Sequence, residues 1–295
     1  MTGAFEVRVG CDRPIQLAGM GGAPSVDLAV AVSRAGGLGM LSGVRGATRL
    51  LAQLDAVPDG VHVGVNFLVP FLDVGALDVA ARRARVVELF WGDPDAELVA
   101  RIRALGSALV AWQVGSADEA SSAVDAGCDL VIVQGIEAGG HVRGTASLLE
   151  LTAAARRRLG GDAVLVAAGG IGTAADVVAA FDAGADAVRI GTRFLAAVES
   201  DAHPDYVDQL IAASPADTVL TAAFGHGWPD APHRVLRSAV AAGTANGVAQ
   251  RWTPDWPTTA TPGSIDAMAL YAGTSVGAVT TRQTAAEIIA ELLGP

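Results

Sequence analysis

What most limits the fold of this chain is a rhythm. Short runs of β-branched or apolar residues begin near Ile15, Gly37, Val61, Val86, Ala108, Asp129, Ala163 and Asp186, each followed by an Ala-rich stretch of helical length. Successive runs start 21 to 25 residues apart, except for one interval of 34, close to the minimum for a strand, a helix and two short turns. Runs such as Leu130-Val131-Ile132-Val133 and Val164-Leu165-Val166-Ala167 are apolar throughout. Strands with one wet face alternate, so this pattern belongs to parallel strands covered on both faces. Eight such units predict an α/β chain folded as a (β/α)8 TIM barrel. A doubly wound open sheet has the same periodicity and stands as the alternative.

The rhythm assigns residues 1–199 to the barrel and fails from Ser200. Residues 200–262, rich in Pro, Trp, Thr and His, are expected to form a small, mostly helical or irregular insertion beside the barrel mouth after the eighth strand. Trp228, Trp252 and Trp256 within it suit a cover over the site, a subunit contact or plain core. In residues 263–295 the stretches Ala267 to Val279 and Thr284 to Leu293 look helical, and one of them is expected to close the barrel. Asp125-Ala126-Gly127-Cys128-Asp129 and Asp182-Ala183-Gly184-Ala185-Asp186 nearly repeat each other, and Ala35-Gly36-Gly37 resembles them. Each places Gly where a helix must stop before a strand, so these glycines are read as structural.

Composition then removes whole classes of function. With 295 residues and a formal net charge of −11, a nucleic-acid or anionic-membrane surface is not expected. All 20 basic residues are Arg, so Schiff-base chemistry and a phosphate-binding Walker lysine are excluded. The longest stretch free of Asp, Glu, Lys and Arg, Ala267 to Thr281, is broken by Gly, Thr and Ser, which argues against a membrane span. The opening MTGAFEVRVG has no basic segment leading into an apolar one, and Cys11 and Cys128 suggest neither a disulfide framework nor a thiolate metal site. A reducing cytoplasm is therefore the expected location. His62, His203, His226 and His233 are scattered without metal-ligand spacing, so no metal is expected, and no serine nucleophile elbow is present.

In a barrel of this kind the chemistry sits on the loops after the strands. The surplus length of the long interval falls after the sixth run, in Gln134-Gly135-Ile136-Glu137-Ala138-Gly139-Gly140-His141-Val142-Arg143-Gly144. A His flanked by glycines there is expected to be mobile, poorly shielded and close to its ordinary pKa, suited to proton transfer or charge stabilisation. After the seventh and eighth runs come Ala168-Gly169-Gly170-Ile171-Gly172-Thr173 and Ile190-Gly191-Thr192-Arg193-Phe194. These adjacent loops are where barrels bind phosphate through backbone amides, with Thr173 or Thr192 adding a hydroxyl and Arg193 a charge. Asn66, Gln113 and Gln134 end the third, fifth and sixth runs, and a ring of amides there suits a planar heterocycle.

Together these pieces resemble the nitronate monooxygenase family, formerly 2-nitropropane dioxygenases, FMN-containing (β/α)8 barrels. The resemblance spans nearly the whole chain. It is carried by Pro14-Ile15-Gln16-Leu17-Ala18-Gly19-Met20, Ala31-Val32-Ser33-Arg34-Ala35-Gly36-Gly37-Leu38-Gly39, Gly64-Val65-Asn66, the Gln134 to Gly144 loop, Ala168-Gly169-Gly170-Ile171 and Gly191-Thr192-Arg193-Phe194. It implies FMN as cofactor, bound by Ala18, Gly19, Met20, Asn66, Gln113, Gln134, Gly139, Gly140 and Gly169. Among these Asn66, Gln134 and Gly139 contact the flavin, while Gly170, Gly172, Gly191 and Thr192 hold its phosphate. His141 would face the reactive ring, as a base toward a neutral nitroalkane or as an electrostatic partner of a nitronate. The implied reaction is oxidative denitrification of alkyl nitronates such as propionate 3-nitronate by O2, giving a carbonyl compound and nitrite, in a possible homodimer. One departure is Thr274, where relatives often carry Gln. Flavin-dependent enoyl reductases and NAD(P)H:quinone reductases share the scaffold, and a non-catalytic binding protein that keeps the phosphate site is a third reading.

Overall fold

The computed structural model describes residues 3–20, 25–161, 163–225, 227–228, 230–245 and 257–294. Every apolar run becomes a strand within two residues of its expected start: β1 Ile15–Leu17, β2 Gly39–Ser42, β3 Val63–Leu68, β4 Val86–Phe90, β5 Leu109–Val114, β6 Leu130–Gln134, β8 Val164–Ala168 and β9 Ala187–Ile190. These eight pair in parallel in the order β1-β9-β8-β6-β5-β4-β3-β2. The last seam, between β1 and β2, is joined by a bridge from Gln16 to Leu38, with Leu17 N donating to Leu38 O and Leu38 N to Ile15 O, both at 2.9 Å. The sheet is thus a nearly closed barrel and not an open doubly wound one.

The near-repeats explain how the strands are spaced. Gly127 and Gly184 adopt φ of 94° and 103°, and Gly36 has φ of 93°, the left-handed helix stops the sequence predicts. The Asp that follows each of the first two reaches across to the neighbouring strand: Asp129 Oδ2 accepts the Val110 N–H at 2.9 Å and Asp186 Oδ2 the Leu165 N–H at 2.7 Å. An Arg from an adjacent helix completes each staple. Arg103 donates to the Gly127 carbonyl and Asp129, and Arg156 to the Gly184 carbonyl and Asp186. The motif therefore fixes strand register at the end of the barrel opposite the chemistry.

The barrel's final helix is Ala285–Leu293, which packs between Val26–Arg34 and Ala174–Asp182. Its stripe of Ile288, Ile289 and Leu292 is buried, and Thr284 with Glu287 forms a capping box at its start. The expected helix from Ala267 to Val279 is absent. Only a 3-10 turn, Thr274–Ala278, forms there. Gly273, Thr274, Ser275 and Gly277 are poor helix formers, and the residues before them run extended, with Tyr271 bridging Val235 and Leu270 O accepting Leu236 N–H.

Between barrel and final helix lie the helices Pro204–Ala212 and Arg237–Ala245 and two strands absent from the sequence expectation, β10 Thr218–Thr221 and β11 His233–Leu236. They form an antiparallel sheet in the order β10-β11-β7, where β7 is Gly140–His141 from the long loop after β6. Its register sets His233 opposite His141 and Arg234 opposite Gly140. The inserted segment thereby grips the loop that carries the predicted reactive histidine. His226, Trp252 and Trp256 lie outside the described residues.

Candidate functional site

A cavity of about 1140 Å3, its open mouth included, occupies the C-terminal ends of the strands. Ala18, Gly19, Met20, Asn66, Gln113, Gln134, Gly139, Gly140, His141, Gly169, Gly170, Gly191 and Thr192 all line it.

On the side of β8 and β9 the wall is backbone. Gly169 and Gly170 have φ of 110° and 71°, and a Cβ on Gly170 would stand 2.8 Å from the Glu137 Cβ, so only Gly makes this turn without strain. Gly191 caps the short helix Thr192–Leu195, and Thr192 Oγ1 accepts the Gly273 N–H at 3.0 Å. Three expectations for this wall need correction. Gly172 does not line the cavity, and its amide donates to Asp176 Oδ2 at 3.0 Å. Thr173 is the N-cap of Ala174–Asp182, its hydroxyl committed to Asp176 in a capping box. Arg193 is 3% exposed and faces the last barrel helix, donating to Glu291, Gln283 and the carbonyls of Ala278 and Gly172.

The floor holds charges that the reading of the sequence passed over. Glu88 on β4 is wholly buried and pairs with Arg189 on β9 at 2.7 Å. Glu88 also accepts from Asn66 Nδ2 at 2.6 Å and Gln16 Nε2 at 2.8 Å, and Arg189 Nη1 donates to Gln113 Oε1. Burial pushes the Glu88 carboxyl up, opposed by the Arg189 charge and the amide donors. Burial likewise pulls Arg189 down, opposed by Glu88. A guanidinium keeps its proton in proteins, and that charge 2.7 Å from Glu88, with the Asn66 and Gln16 amides donating to its two oxygens, favours the carboxylate form. The signal was available: Glu88 and Arg189 interrupt the runs Val86-Val87-Glu88-Leu89-Phe90 and Ala187-Val188-Arg189-Ile190.

Gln134 lines the cavity and also ties down the loop that follows it. Its Nε2 donates to the His141 carbonyl at 2.9 Å and its Oε1 accepts the Arg143 N–H at 3.2 Å. It fixes the backbone of the reactive loop, and Arg143 is held in turn by Glu119 and Asp93.

His141 is shielded, contrary to the expectation from its glycine neighbours. Its ring stacks on Trp228 at 4.1 Å between centroids, meets Trp91 edge-on at 6.0 Å, and lies 5.2 Å from His233 and 5.8 Å from Tyr271, which also lines the cavity. Trp91 reaches it from a left-handed backbone, φ 70°, a strained conformation for a bulky residue at a functional mouth. The imidazole's pKa is pushed down to about 3, by burial first and by His233 second. His233 is buried and neutral in arrangement: Nε2 accepts the Phe224 N–H at 3.2 Å, and Nδ1 is 3.0 Å from the Ala231 carbonyl, which requires Nδ1 to carry the hydrogen. No group of His, Cys, Asp and Glu able to hold a metal occurs among the described residues, and none of their helices is long and apolar enough to cross a membrane.

The His141 shift has a sign that can be measured. Between about pH 6.5 and about 3 the unfolded chain binds a proton at this position that the folded chain refuses. Its contribution to stability is therefore complete above pH 6.5 and shrinks as pH falls toward 3. Urea midpoints at pH 7.5 and 4.5 should drop further for the native chain than for His141→Asn; equal drops would show that the ring titrates freely.

Fold and cavity define a barrel enzyme whose site is built from the loops at the C-terminal face. Residues 59–294 match the family model described as nitronate monooxygenase. The chain belongs to the nitronate monooxygenase family, and it is an oxidoreductase. A nitronate monooxygenase of Pseudomonas aeruginosa is 29% identical over 87% of this chain and 86% of its own length. A Mycobacterium tuberculosis protein named (3aS,4S,5R,7aS)-5-hydroxy-7a-methyl-1-oxo-octahydro-1H-indene-4-carboxyl-CoA dehydrogenase is 32% identical over 78% of this chain, which spans 64% of that relative's length. Among solved structures, FabK from Thermotoga maritima superposes with a TM-score of 0.83 at 27% identity, covering 99% of this chain and 95% of its own. Nitroalkane oxidase from Streptomyces ansochromogenes gives 0.78 at 30% identity, covering 96% and 95%.

Proposed function

We propose that the chain is an FMN-dependent nitronate monooxygenase, converting alkyl nitronates such as propionate 3-nitronate and O2 to a carbonyl compound and nitrite. The observation that carries this reading is the joining, in one cavity, of a glycine-built wall after β8 and β9, an amide-lined floor, and a shielded imidazole at the mouth. The residues fit the group. Gly169, Gly170, Gly191 and Thr192 offer close backbone approach for a phosphate, and Asn66 and Gln113 offer polar atoms to a flat heterocycle. When bound, FMN supplies the electron transfer and the reaction with O2.

The protein's own share is positioning, exclusion of water and hydrogen bonding. Trp91, Trp228 and Tyr271 pack around His141 and keep its ring desolvated. An imidazole whose pKa is near 3 is neutral at pH 7 and a weak base. That favours a substrate arriving as the nitronate, already deprotonated, to which the neutral ring offers an N–H without a competing charge. Of the two roles the resemblance leaves open for His141, the hydrogen-bonding partner of an anion is therefore preferred over the base.

A second reading, an NAD(P)H-dependent enoyl or quinone reductase, draws on the similarity to a carboxyl-CoA dehydrogenase and the fold likeness to FabK. One set of measurements separates them. The purified protein should show a flavin visible spectrum, directly or after FMN is added, and should consume O2 and release nitrite with propionate 3-nitronate. Rapid anaerobic bleaching by NADH without nitrite formation would establish the reductase instead, and a colourless protein that takes up no FMN would sink both. We place the protein's work in the cytoplasm, with a small-molecule substrate and O2 as partners.

A further inference from the structure

The floor of the cavity carries an ion pair whose presence stability alone does not explain. Glu88 and Arg189 are 0% and 5% exposed, and hydrophobic residues of like volume commonly replace such a pair without loss of stability. Arg189 Nε, moreover, finds no hydrogen-bond partner among the described residues, a further cost in a buried position. The effect of the pair on its neighbours is more specific.

A carboxylate only accepts hydrogen bonds and a guanidinium only donates them. Glu88 Oε1 takes Asn66 Nδ2, so the Asn66 amide is held with its NH2 toward Glu88 and its Oδ1 left over. Arg189 Nη1 takes Gln113 Oε1, so the Gln113 amide is held the other way, with its Nε2 left over. Gln16, from β1, occupies the second oxygen of Glu88 and keeps the carboxylate from rotating. Both Asn66 and Gln113 line the cavity, and neither Asn66 Oδ1 nor Gln113 Nε2 has a protein partner among the described residues.

We propose that Glu88 and Arg189 are a positioning pair that locks the two floor amides in opposite senses, so that the cavity presents one acceptor at Asn66 and one donor at Gln113. The inference rests on the flavin reading and deepens it. Oxidised isoalloxazine has a single ring N–H, at N3, between two carbonyls, so the acceptor serves N3–H and the donor a carbonyl. Without the pair each amide is free to turn over, and the floor no longer distinguishes the two edges. The backbone at Gly19 comes close beside Asn66, where a Cβ would stand 2.3 Å from the Asn66 Cβ, so the side chain keeps its place against the cavity while the sense of its amide is left to Glu88.

The test compares the native chain with the neutral double variant Glu88→Gln/Arg189→Gln, because either single change strands a buried charge. FMN affinity is read by quenching of flavin fluorescence, and the N3–H proton of 15N-labelled FMN by NMR. In the native complex that resonance is expected downfield of free FMN. In the double variant, affinity should fall about 10-fold, the worth of one oriented hydrogen bond, and the resonance should move back toward the free position. Unchanged affinity with an unchanged resonance would reduce the pair to scaffolding and overturn the proposal. Should the double variant not fold, Asn66→Ala gives the answer with the ion pair intact: retention of the downfield resonance there would equally overturn it. A native chain that binds no FMN at all overturns the flavin reading itself, a result distinct from native binding that the variants leave unaltered.

Discussion

Replacing His141 with Ala is expected to lower turnover by about 10²- to 10⁴-fold while the protein keeps its flavin. The range is that of losing a positioned proton-transfer group or hydrogen-bond donor at a site of developing charge. Retention follows from the architecture: His141 sits on β7 and is fixed by Gln134 and β11, whereas the glycine wall lies after β8 and β9 and the amide floor on β3 and β5. His141→Asn adds a distinction. Asn keeps a donor and lacks the imidazole lone pair, so turnover well above that of the Ala variant identifies the ring as a hydrogen-bond donor to an anion, and equal loss identifies it as a base. Steady-state nitrite release with the visible spectrum as a loading control decides between them. Native turnover in His141→Ala would remove the residue from the mechanism.

How much of this was legible in the sequence depended on whether a feature is local. Parallel strands buried on both faces must be apolar end to end, so the eight strand positions were readable from Ile15 to Asp186 without any knowledge of the partners. Asn66 and Gln113 were readable for the converse reason: an amide ending an apolar run is costly unless something bonds to it. Glu88 and Arg189 carried the same signal more strongly, as charges inside apolar strands, but attention on strand ends missed them. What no local pattern contained was the environment of His141. Glycine neighbours suggest exposure, yet its burial comes from β11 and Trp228, parts of an insertion whose four-residue strands are too short to announce themselves by alternation. The depressed pKa is a property of that long-range packing, which is why the expectation of an ordinary histidine failed. Gln134 has a second task that no local pattern shows, since its amide also bonds to the loop it precedes.

Arg193→Ala should cost on the order of 3 kcal/mol of folding stability, read as a shift in the urea midpoint, and should weaken FMN binding although Arg193 does not line the cavity. The guanidinium joins three pieces: the Gly172 carbonyl after β8, the Ala278 carbonyl in the 3-10 turn, and Glu291 with Gln283 around the last barrel helix. Removing it orphans two carbonyls and releases the wall that Gly170 and Thr192 build. Glu291, half exposed, is resolvated and adds little to the loss. Arg193→Lys should recover only part of it, because a point charge on a flexible stem cannot serve carbonyls and a carboxylate in one plane. The same bridge gives an acid-sensitive component. Its hydrogen bonds to Arg193, then to Gln283, lower the Glu291 pKa from 4.5, so this stabilisation is present above the ordinary glutamate range and is lost as pH falls through the lowered value. In Arg193→Ala that portion of the acid dependence should vanish along with the stability. Midpoints within 0.5 kcal/mol of the native chain for both variants would show that helix packing, and not this guanidinium, holds the wall in place.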